Sequence, residues 1–189
     1  CSSDLKGLND NGDAAGMMIG SDGAGYGFVT RNGQMTSLGQ PAGGDWSTAN
    51  AINALGAAAG VAMASDGTFR AFTVSASGQV TLLAALGGAN AYGNAISDTG
   101  VVAGHAQTGT GALVATTWTN GTAQALGTLG GINSFAYAIN AAGQVAGYSD
   151  TVHGGTAAFL YDNGLMYDLN GLLSAGSGWQ LLADRKSTR

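Results

Sequence analysis

The sequence predicts an all-β protein, arranged as a β-propeller-like array of four repeats, and three observations predict it. The first is a repeated pattern: a Gly-Gly pair, eight residues, Asn or Ser, two residues, Gly, three residues and Gly. Its Asn or Ser falls at Asn9, Asn53, Ser97 and Asn140, in steps of 44, 44 and 43 residues. A constant step of this size is typical of propellers, solenoids and arrays, in which each copy is one supersecondary unit.

The second observation is the composition. Glycine accounts for 34 of the 189 residues, there is one proline, and all eleven acidic residues are aspartates. Gly and Asp favour turns, whereas the missing Glu favours helices. Hydrophobic residues make up 45% of the chain and charged residues 9%, which excludes a disordered linker.

The third observation is the set of turn signals inside each copy, clearest over residues 136–169. Short apolar stretches at 136–140, 144–149, 156–161 and 165–169 predict four strands. Between the last two, Asp162-Asn163-Gly164 predicts a tight hairpin, because Asn-Gly adopts positive φ readily. Four short strands per repeat match a propeller blade. The Gly-Gly pair is expected in the connection between one blade's outer strand and the next blade's first strand.

These signals predict one repeat domain over residues 1–183, with units at 8–50, 51–94, 95–137 and 138–182. A β-solenoid with two coils per repeat is the alternative. It requires an echo at half the period, however, and the Gly-Gly pairs and hairpin signals occur once per repeat. Because known propellers most often have more blades than four, we expect the chain to be a fragment of a larger propeller.

The segment 126–147, which reads LGTLGGINSFAYAINAAGQVAG, resembles the bacterial extracellular HAF-repeat family. Residues 171–182 are similar to the variant junction before the final repeats of such proteins. The His-Ala-Phe stretch that gives the family its name is altered in every copy. Its last residue is Phe28, Phe72, Thr116 or Phe159, and no copy keeps the histidine. The resemblance implies a secreted bacterial repeat protein, and it brings no established activity.

Both ends of the chain look cut. Cys1 lies inside a repeat and is either a lipidation site or, as we favour, an interior residue exposed by truncation. Residues 184–189 hold half of the six basic residues and match what a sequencing adapter would encode. We therefore expect a non-native tail, such as a metagenomic read would leave.

Two groups of aromatic residues are distinguished by their register. Phe28, Phe72 and Phe159 stand at equivalent places, with Thr116 in the third copy and Trp118 two residues later, so we expect these rings in the core.

The second group consists of Trp46, Tyr92 and Phe135, which follow Gly-Gly pairs by two or four residues. We expect them in inter-blade loops on one face, either packed locally or available to a glycan or peptide ligand.

The polar residues do not form a convincing catalytic or metal set. A metal site would need both histidines, His105 and His153, with carboxylates such as Asp98 and Asp150, but the histidines lie at non-equivalent positions in different repeats. The cluster at 9–13 could offer oxygen ligands to calcium, but its spacing does not match an EF-hand and turn formation explains it better. No Walker or dinucleotide-binding pattern is present. We expect no catalytic residues, cofactor or metal.

The sequence therefore favours a secreted or cell-surface protein without catalytic activity, acting as a binding, adhesion or structural module. A net charge of −5 argues against a nucleic-acid partner, and no apolar stretch is long enough to span a membrane. If the array is truncated, its open ends predict self-association. The alternative is a fragment of a β-propeller enzyme, a hydrolase or lyase acting on polysaccharide.

Overall fold

The computed structural model describes residues 3–174, 178, 179 and 181, so Cys1 and the segment 184–189 lie outside the described residues. Within them the chain is all-β, as the sequence predicts, and its one helix is a short 3-10 turn at Leu169–Leu172. The strands are β1 Ser3–Leu8, β2 Ala14–Ile19, β3 Gly25–Arg31, β4 Gln34–Ser37, β5 Gly43–Ile52, β6 Ala58–Ala64, β7 Phe69–Val74, β8 Val80–Leu82, β9 Gly87–Ile96, β10 Val102–Thr108, β11 Leu113–Thr119, β12 Thr122–Gly127, β13 Gly130–Ile139, β14 Val145–Thr151, β15 Thr156–Asp162 and β16 Leu165–Asp168.

The strands form four units of four strands each: unit 1 (residues 3–37), unit 2 (43–82), unit 3 (87–127) and unit 4 (130–168). Consecutive strands within a unit pair antiparallel. A single parallel bridge, between Gly25 and Trp46, joins the sheets of units 1 and 2. The solenoid alternative is therefore wrong, because its coils would pair in parallel.

The phase of the repeat differs from the sequence-based expectation. Each Gly-Gly pair opens the first strand of a unit instead of lying in the connection before it. Units 2 to 4 begin at residues 43, 87 and 130, whereas the expected bounds were 51, 95 and 138, eight residues later. Both glycines of the pair in unit 2 are needed there. Gly43 has a φ of 84°, which other residues rarely adopt, and a Cβ on Gly44 would clash with Met63, standing 2.8 Å from its carbonyl carbon.

The units pack face to face. The first strand of each later unit contacts the first three strands of the unit before it, its first strand included. The buried interfaces consist largely of small residues, which lets the sheets approach closely. For example, a Cβ on Gly93 would stand 2.9 Å from the carbonyl oxygen of Gly60. Among the described residues the sheets do not join into a closed ring.

The equivalent aromatic residues lie in the core, which confirms their predicted register. Phe28, Phe72 and Phe159 are at most 1% exposed. Thr116 is buried at the same place in unit 3, and Trp118 fills the space beside it, donating from Nε1 to the carbonyl oxygen of Ala84 at 2.8 Å.

Candidate ligand-binding surface

A continuous row of rings crosses units 2, 3 and 4. Neighbouring ring centroids are separated by 6.3, 5.2, 4.6, 4.8, 4.8 and 5.8 Å along it. We call this set the aromatic row; in spatial order it comprises Trp46, Phe69, Tyr92, His105, Phe135, Tyr148 and Tyr137. Tyr137 is 53% exposed and the other six side chains are partly exposed, so the row is accessible to solvent along its length.

Strand pairing sets the spacing of the row within a unit. Tyr92 lies directly opposite His105 on β9 and β10, and Phe135 lies opposite Tyr148 on β13 and β14. Cross-strand partners place their side chains on the same face of a sheet, which brings the rings of each pair together. The stacking of Tyr92 on His105, with an interplanar angle of 16°, follows from this pairing.

Unit packing joins these pairs into one row. Phe69 of unit 2 stacks on Tyr92 of unit 3, and His105 of unit 3 meets the ring of Phe135 of unit 4 edge to face. Offset-stacked and T-shaped contacts are the arrangements that aromatic rings prefer. The row therefore also ties adjacent units together.

The three aromatic residues singled out in the sequence lie in this row, but their predicted position in inter-blade loops is wrong. Trp46, Tyr92 and Phe135 belong to the first strands β5, β9 and β13. Each of these strands begins at the Gly-Gly pair, so residues two and four places after it are already paired. Both predicted roles, packing and ligand contact, remain compatible with partly exposed rings.

Trp46 also has a structural role. Its indole Cδ1 would stand 2.6 Å from a Cβ on Gly25 of unit 1. One and two repeats later its place is taken by Asn90 and Asn133, whose side-chain oxygens accept hydrogen bonds from the backbone of Phe69 and Leu113 in the preceding unit. Position 46 thus connects two units through a ring where the later copies use an amide.

The histidine of the row is neutral at neutral pH. Burial lowers the pKa of His105 to about 4, and burial raises the pKa of Tyr92. The amide nitrogen of Asn94 lies 3.3 Å from His105 Nδ1. Since that nitrogen only donates, Nδ1 accepts and the ring proton stands on Nε2. Aromatic edges, tyrosine hydroxyls and a neutral imidazole suit a ligand that is itself uncharged and rich in hydroxyl groups.

A second feature lies where the first strands end. A cavity of about 300 Å³ is lined by equivalent residues of all four units, including Asn9, Asn53, Ser97 and Asn140. Asp10 and Asp98 also line it, and Asp98 Oδ1 accepts a hydrogen bond from the backbone of Ala54 at 2.9 Å.

The motif asparagines at this cavity hold turns and connect units. Asn53 Oδ1 accepts from the backbone of Leu55 and Ala57, while its Nδ2 donates to the carbonyl oxygen of Ser97 in unit 3. Asn9 likewise donates to the carbonyl oxygen of Asn53. In units 1 and 2 this amide therefore connects neighbouring units, whereas the Ser97 hydroxyl and the Asn140 amide bond within their own turns.

The other sequence candidates do not come together. His105 lies in the row, whereas His153 is on an exposed turn of unit 4. Asp150 accepts from the backbone and side-chain nitrogens of Asn133, and Asp13, in the 9–13 cluster, accepts from Asn9 and from the backbone of Asn32. The part of the chain that the structure describes contains no group of three His, Cys, Asp or Glu residues that could hold a metal ion.

Phe69, Tyr148 and Tyr137 were not recognised as site residues in the sequence, and His105 was considered there for metal binding and not for an aromatic surface. One signal could have revealed two of them: Tyr92 and His105 are thirteen residues apart, as are Phe135 and Tyr148 in the next copy. That recurrence marks a cross-strand aromatic pair.

Comparisons with known proteins give no family. No protein-family model matches the chain, and no curated protein matches it in sequence. Among the described residues, no helix is both long and apolar enough to cross a membrane.

The chain resembles a number of solved structures, two of which are the following. One is the gluconolactonase XC5397 of Xanthomonas campestris, at a TM-score of 0.49 and 14% identity, covering 85% of this chain and 60% of that one. The other is a triple arginine-to-alanine variant of AofleA from Arthrobotrys oligospora, at 0.43 and 12%, covering 88% and 56%. The chain thus spans less than two thirds of either matched structure. Neither similarity identifies a ligand or substrate of this chain.

Proposed function

We propose that the chain is a secreted or cell-surface binding module, serving adhesion, matrix or ligand display, and that its ligand lies along the aromatic row. The observation that carries this proposal is the continuity of seven partly exposed rings across three units. Local packing of a repeat protein needs no such line, because each unit's core is already filled by Phe72, Trp118 or Phe159.

The ligand class follows from the charge and shape of the row. The net charge of −5 and the neutral His105 disfavour anionic ligands. The extended row fits an extended chain better than a compact molecule, and its hydroxyl-bearing rings combine apolar contact with hydrogen bonding. We therefore propose a neutral polysaccharide as the ligand.

The architecture and origin belong to the same proposal. Four antiparallel four-stranded units packed face to face support a β-propeller-like array, which we propose to be part of a larger one. The resemblance of segment 126–147 supports a place in the bacterial HAF-repeat family, and with it an extracellular location.

A second candidate function is an enzyme acting on polysaccharide. The observation that favours it is the cavity lined by all four units, which carries Asp10 and Asp98. Two carboxylates flanking a sugar are what glycoside hydrolysis uses. In this candidate the chemistry lies at the cavity and the aromatic row extends the substrate-binding surface.

One experiment tests the binding proposal with matched controls. Binding to neutral polysaccharides would be measured by affinity electrophoresis and calorimetry for Trp46→Ala and Tyr92→Ala. The controls are Tyr167→Ala, 46% exposed on β16, and Tyr26→Ala, partly exposed on β3 of unit 1, which carries none of the rings in the row. We expect at least a tenfold loss of affinity in the row variants only; equal binding by all four variants would contradict the proposal.

The same samples test the second candidate. Release of shorter glycans would be followed for the unchanged chain and for Asp10→Asn and Asp98→Asn. Turnover that both exchanges abolish would establish the enzyme, while binding without turnover supports the binding module.

A further inference from the structure

Arg31 joins units 1 and 2 through backbone oxygens. Its Nε and Nη2 donate to the carbonyl oxygen of Gly56 at 3.0 and 2.7 Å, and Nη2 also donates to the carbonyl oxygen of Ser75 at 3.0 Å. Arg31 makes no salt bridge within the part of the chain that the structure describes. The space between these two units therefore holds a guanidinium group by carbonyl oxygens, without a carboxylate.

The corresponding place between units 2 and 3 has no arginine. Ser75 stands where Arg31 stands in unit 1, and Gly100 stands where Gly56 stands in unit 2, each one step of 44 residues further on. A Cβ on Gly56 would stand 3.4 Å from Arg31 Nε, whereas a Cβ on Gly100 would meet nothing within 4 Å. Among the described residues none donates a hydrogen bond to the carbonyl oxygen of Gly100.

The side chain of Ser75 does not replace the missing guanidinium. Its Oγ lies 2.8 Å from Oγ of Ser77 and accepts from the backbone nitrogen of Gln79 at 3.0 Å, so both contacts stay within its own turn. The carbonyl oxygen of Ser75 is already bonded to Arg31 on the side of unit 1.

A cavity of about 390 Å³ opens at this place between units 2 and 3. Ser75 and Gly100 both line it, and Gln79 and Asn120 add side-chain amide oxygens to its wall. Leu83 contributes apolar surface. None of the described side chains that line the cavity carries a charge.

We propose that this cavity binds the arginine side chain of a peptide, whose guanidinium donates to the carbonyl oxygen of Gly100 as Arg31 donates to that of Gly56. A guanidinium has five N–H donors and no acceptor, which suits a wall that offers carbonyl and amide oxygens. The methylene groups of the side chain would lie along Leu83. The net charge of −5 favours a cationic ligand over an anionic one.

The site is distinct from the aromatic row. Phe69 is the first residue of β7 and belongs to the row, whereas Val74 is the last residue of β7 and lines the cavity. The two sites lie at opposite ends of one strand, so the arginine site does not depend on the ligand proposed for the row.

Titration with the capped peptide acetyl-Gly-Arg-Gly-amide tests the site. The backbone amide of Gly100 and the indole Nε1–H of Trp118, which also lines the cavity, report binding by NMR. The same peptide with citrulline keeps the shape of the side chain and removes its charge. We expect it to bind about tenfold more weakly, because hydrogen bonds from a charged donor are the stronger ones. Equal affinities, or no shift of these two signals at millimolar arginine peptide, would overturn the proposal.

Ser75→Arg gives the cavity an arginine of the chain itself, as Arg31 does between units 1 and 2. This variant is expected to lose peptide binding. Ser77→Arg is the matched control, because it adds the same charge at an exposed position of the same turn outside the cavity wall. Circular dichroism would verify the fold of both. Unchanged binding by Ser75→Arg, or an equal loss in Ser77→Arg, would argue against the site.

The reverse exchange gives an independent outcome. Arg31→Ser removes the guanidinium between units 1 and 2 and leaves the carbonyl oxygen of Gly56 as open as that of Gly100. The folded variant is expected to take up two arginine peptides per chain instead of one, measured by calorimetry. A stoichiometry that stays at one would contradict the equivalence of the two places on which the proposal rests.

Discussion

The ring of Phe159 lies over Gly147, its direct partner across β14 and β15, and a Cβ on Gly147 would stand 2.9 Å from Phe159 Cε1. The same relationship holds between Gly60 and Phe72, where the distance is 2.7 Å. In each case the bare glycine makes room for a ring that fills the space between two sheets. A Cβ at this position would also meet a carbonyl oxygen of the first strand in all four copies, including Gly104, which faces Thr116. The close approach of that strand, together with the ring where one is present, explains why the repeat keeps its last glycine.

Removal of the Phe159 ring should destabilise the protein strongly. Phe159 is 0% exposed, so Phe159→Ala loses buried apolar area and leaves a cavity, at a cost of about 3–5 kcal/mol in the free energy of unfolding. Chemical denaturation would measure it, with Tyr167→Ala, on an exposed aromatic residue of the same unit, as the control. A loss no larger than the control's would show that the ring does not support the core.

Addition of a methyl group at Gly147 should also destabilise the protein. The new Cβ would meet both Phe159 and the carbonyl oxygen of Phe135, and the backbone cannot move aside as a side chain can. We expect Gly147→Ala to cost about 1–3 kcal/mol. Gly171→Ala is the control, because a Cβ there meets nothing within 4 Å. Equal unfolding midpoints for the two variants would contradict the close approach.

The amide at Asn53 should matter more than the amide at Asn140. Asn53→Asp keeps the oxygen that holds the turn but replaces the donor to Ser97 with an oxygen facing that carbonyl. Because Asn53 is 5% exposed, the expected cost is about 1–3 kcal/mol. Asn140 is exposed and donates only to Gln144. Asn140→Asp should therefore change the unfolding free energy much less, and similar losses in both variants would argue against the connection between units.

Stability should fall with acidification through the titration of His105. The pKa of His105 is about 4 in the folded chain and 6.5 in the unfolded chain. Between these two pH values the unfolded chain binds more protons, so the free energy of unfolding falls as the pH is lowered through that window. The loss amounts to about 3 kcal/mol.

The variant His105→Phe keeps a ring in the row and removes the titration, while His153→Asn changes the exposed histidine as a control. Unfolding free energies at neutral pH and near pH 4.5 would be compared. His105→Phe should lose much less stability than the unchanged chain on acidification. Identical losses would place the pH dependence elsewhere.

Sequence reasoning predicted the core rings well because a constant step carries equivalent residues into equivalent surroundings. Phe28, Phe72 and Phe159 follow from the period alone, and Trp118 was recognised as the substitute for the ring missing at Thr116. The hairpin turns followed in the same way: Asn32, Asn120 and Asn163 have φ of 51°, 51° and 50°.

The phase of the units was harder to predict, because glycine serves both connections and strands. Gly43 has positive φ and suggests a turn, yet it pairs with Ala64 as the first residue of β5. Gly44 is required by the close approach of Met63, a contact between strands that the local sequence does not reveal.

The cross-strand pairs Tyr92–His105 and Phe135–Tyr148 recur with the period, but the continuity of the aromatic row is not a property of the repeat. The places equivalent to Phe69 are held by Gly25, Leu113 and Thr156, so only one unit offers a ring there. The row depends on how unit 2 packs on unit 3 and unit 3 on unit 4. That packing is visible only in three dimensions.

The most direct test of the aromatic row as a ligand surface is a titration followed by the NMR signals of ring protons. With a neutral polysaccharide added stepwise, Trp46, Phe69, Tyr92 and Phe135 should shift together with one dissociation constant. The core rings of Phe28, Phe72 and Trp118 should stay in place. Shifts confined to residues outside the row, or no shift at saturating polysaccharide, would contradict the account.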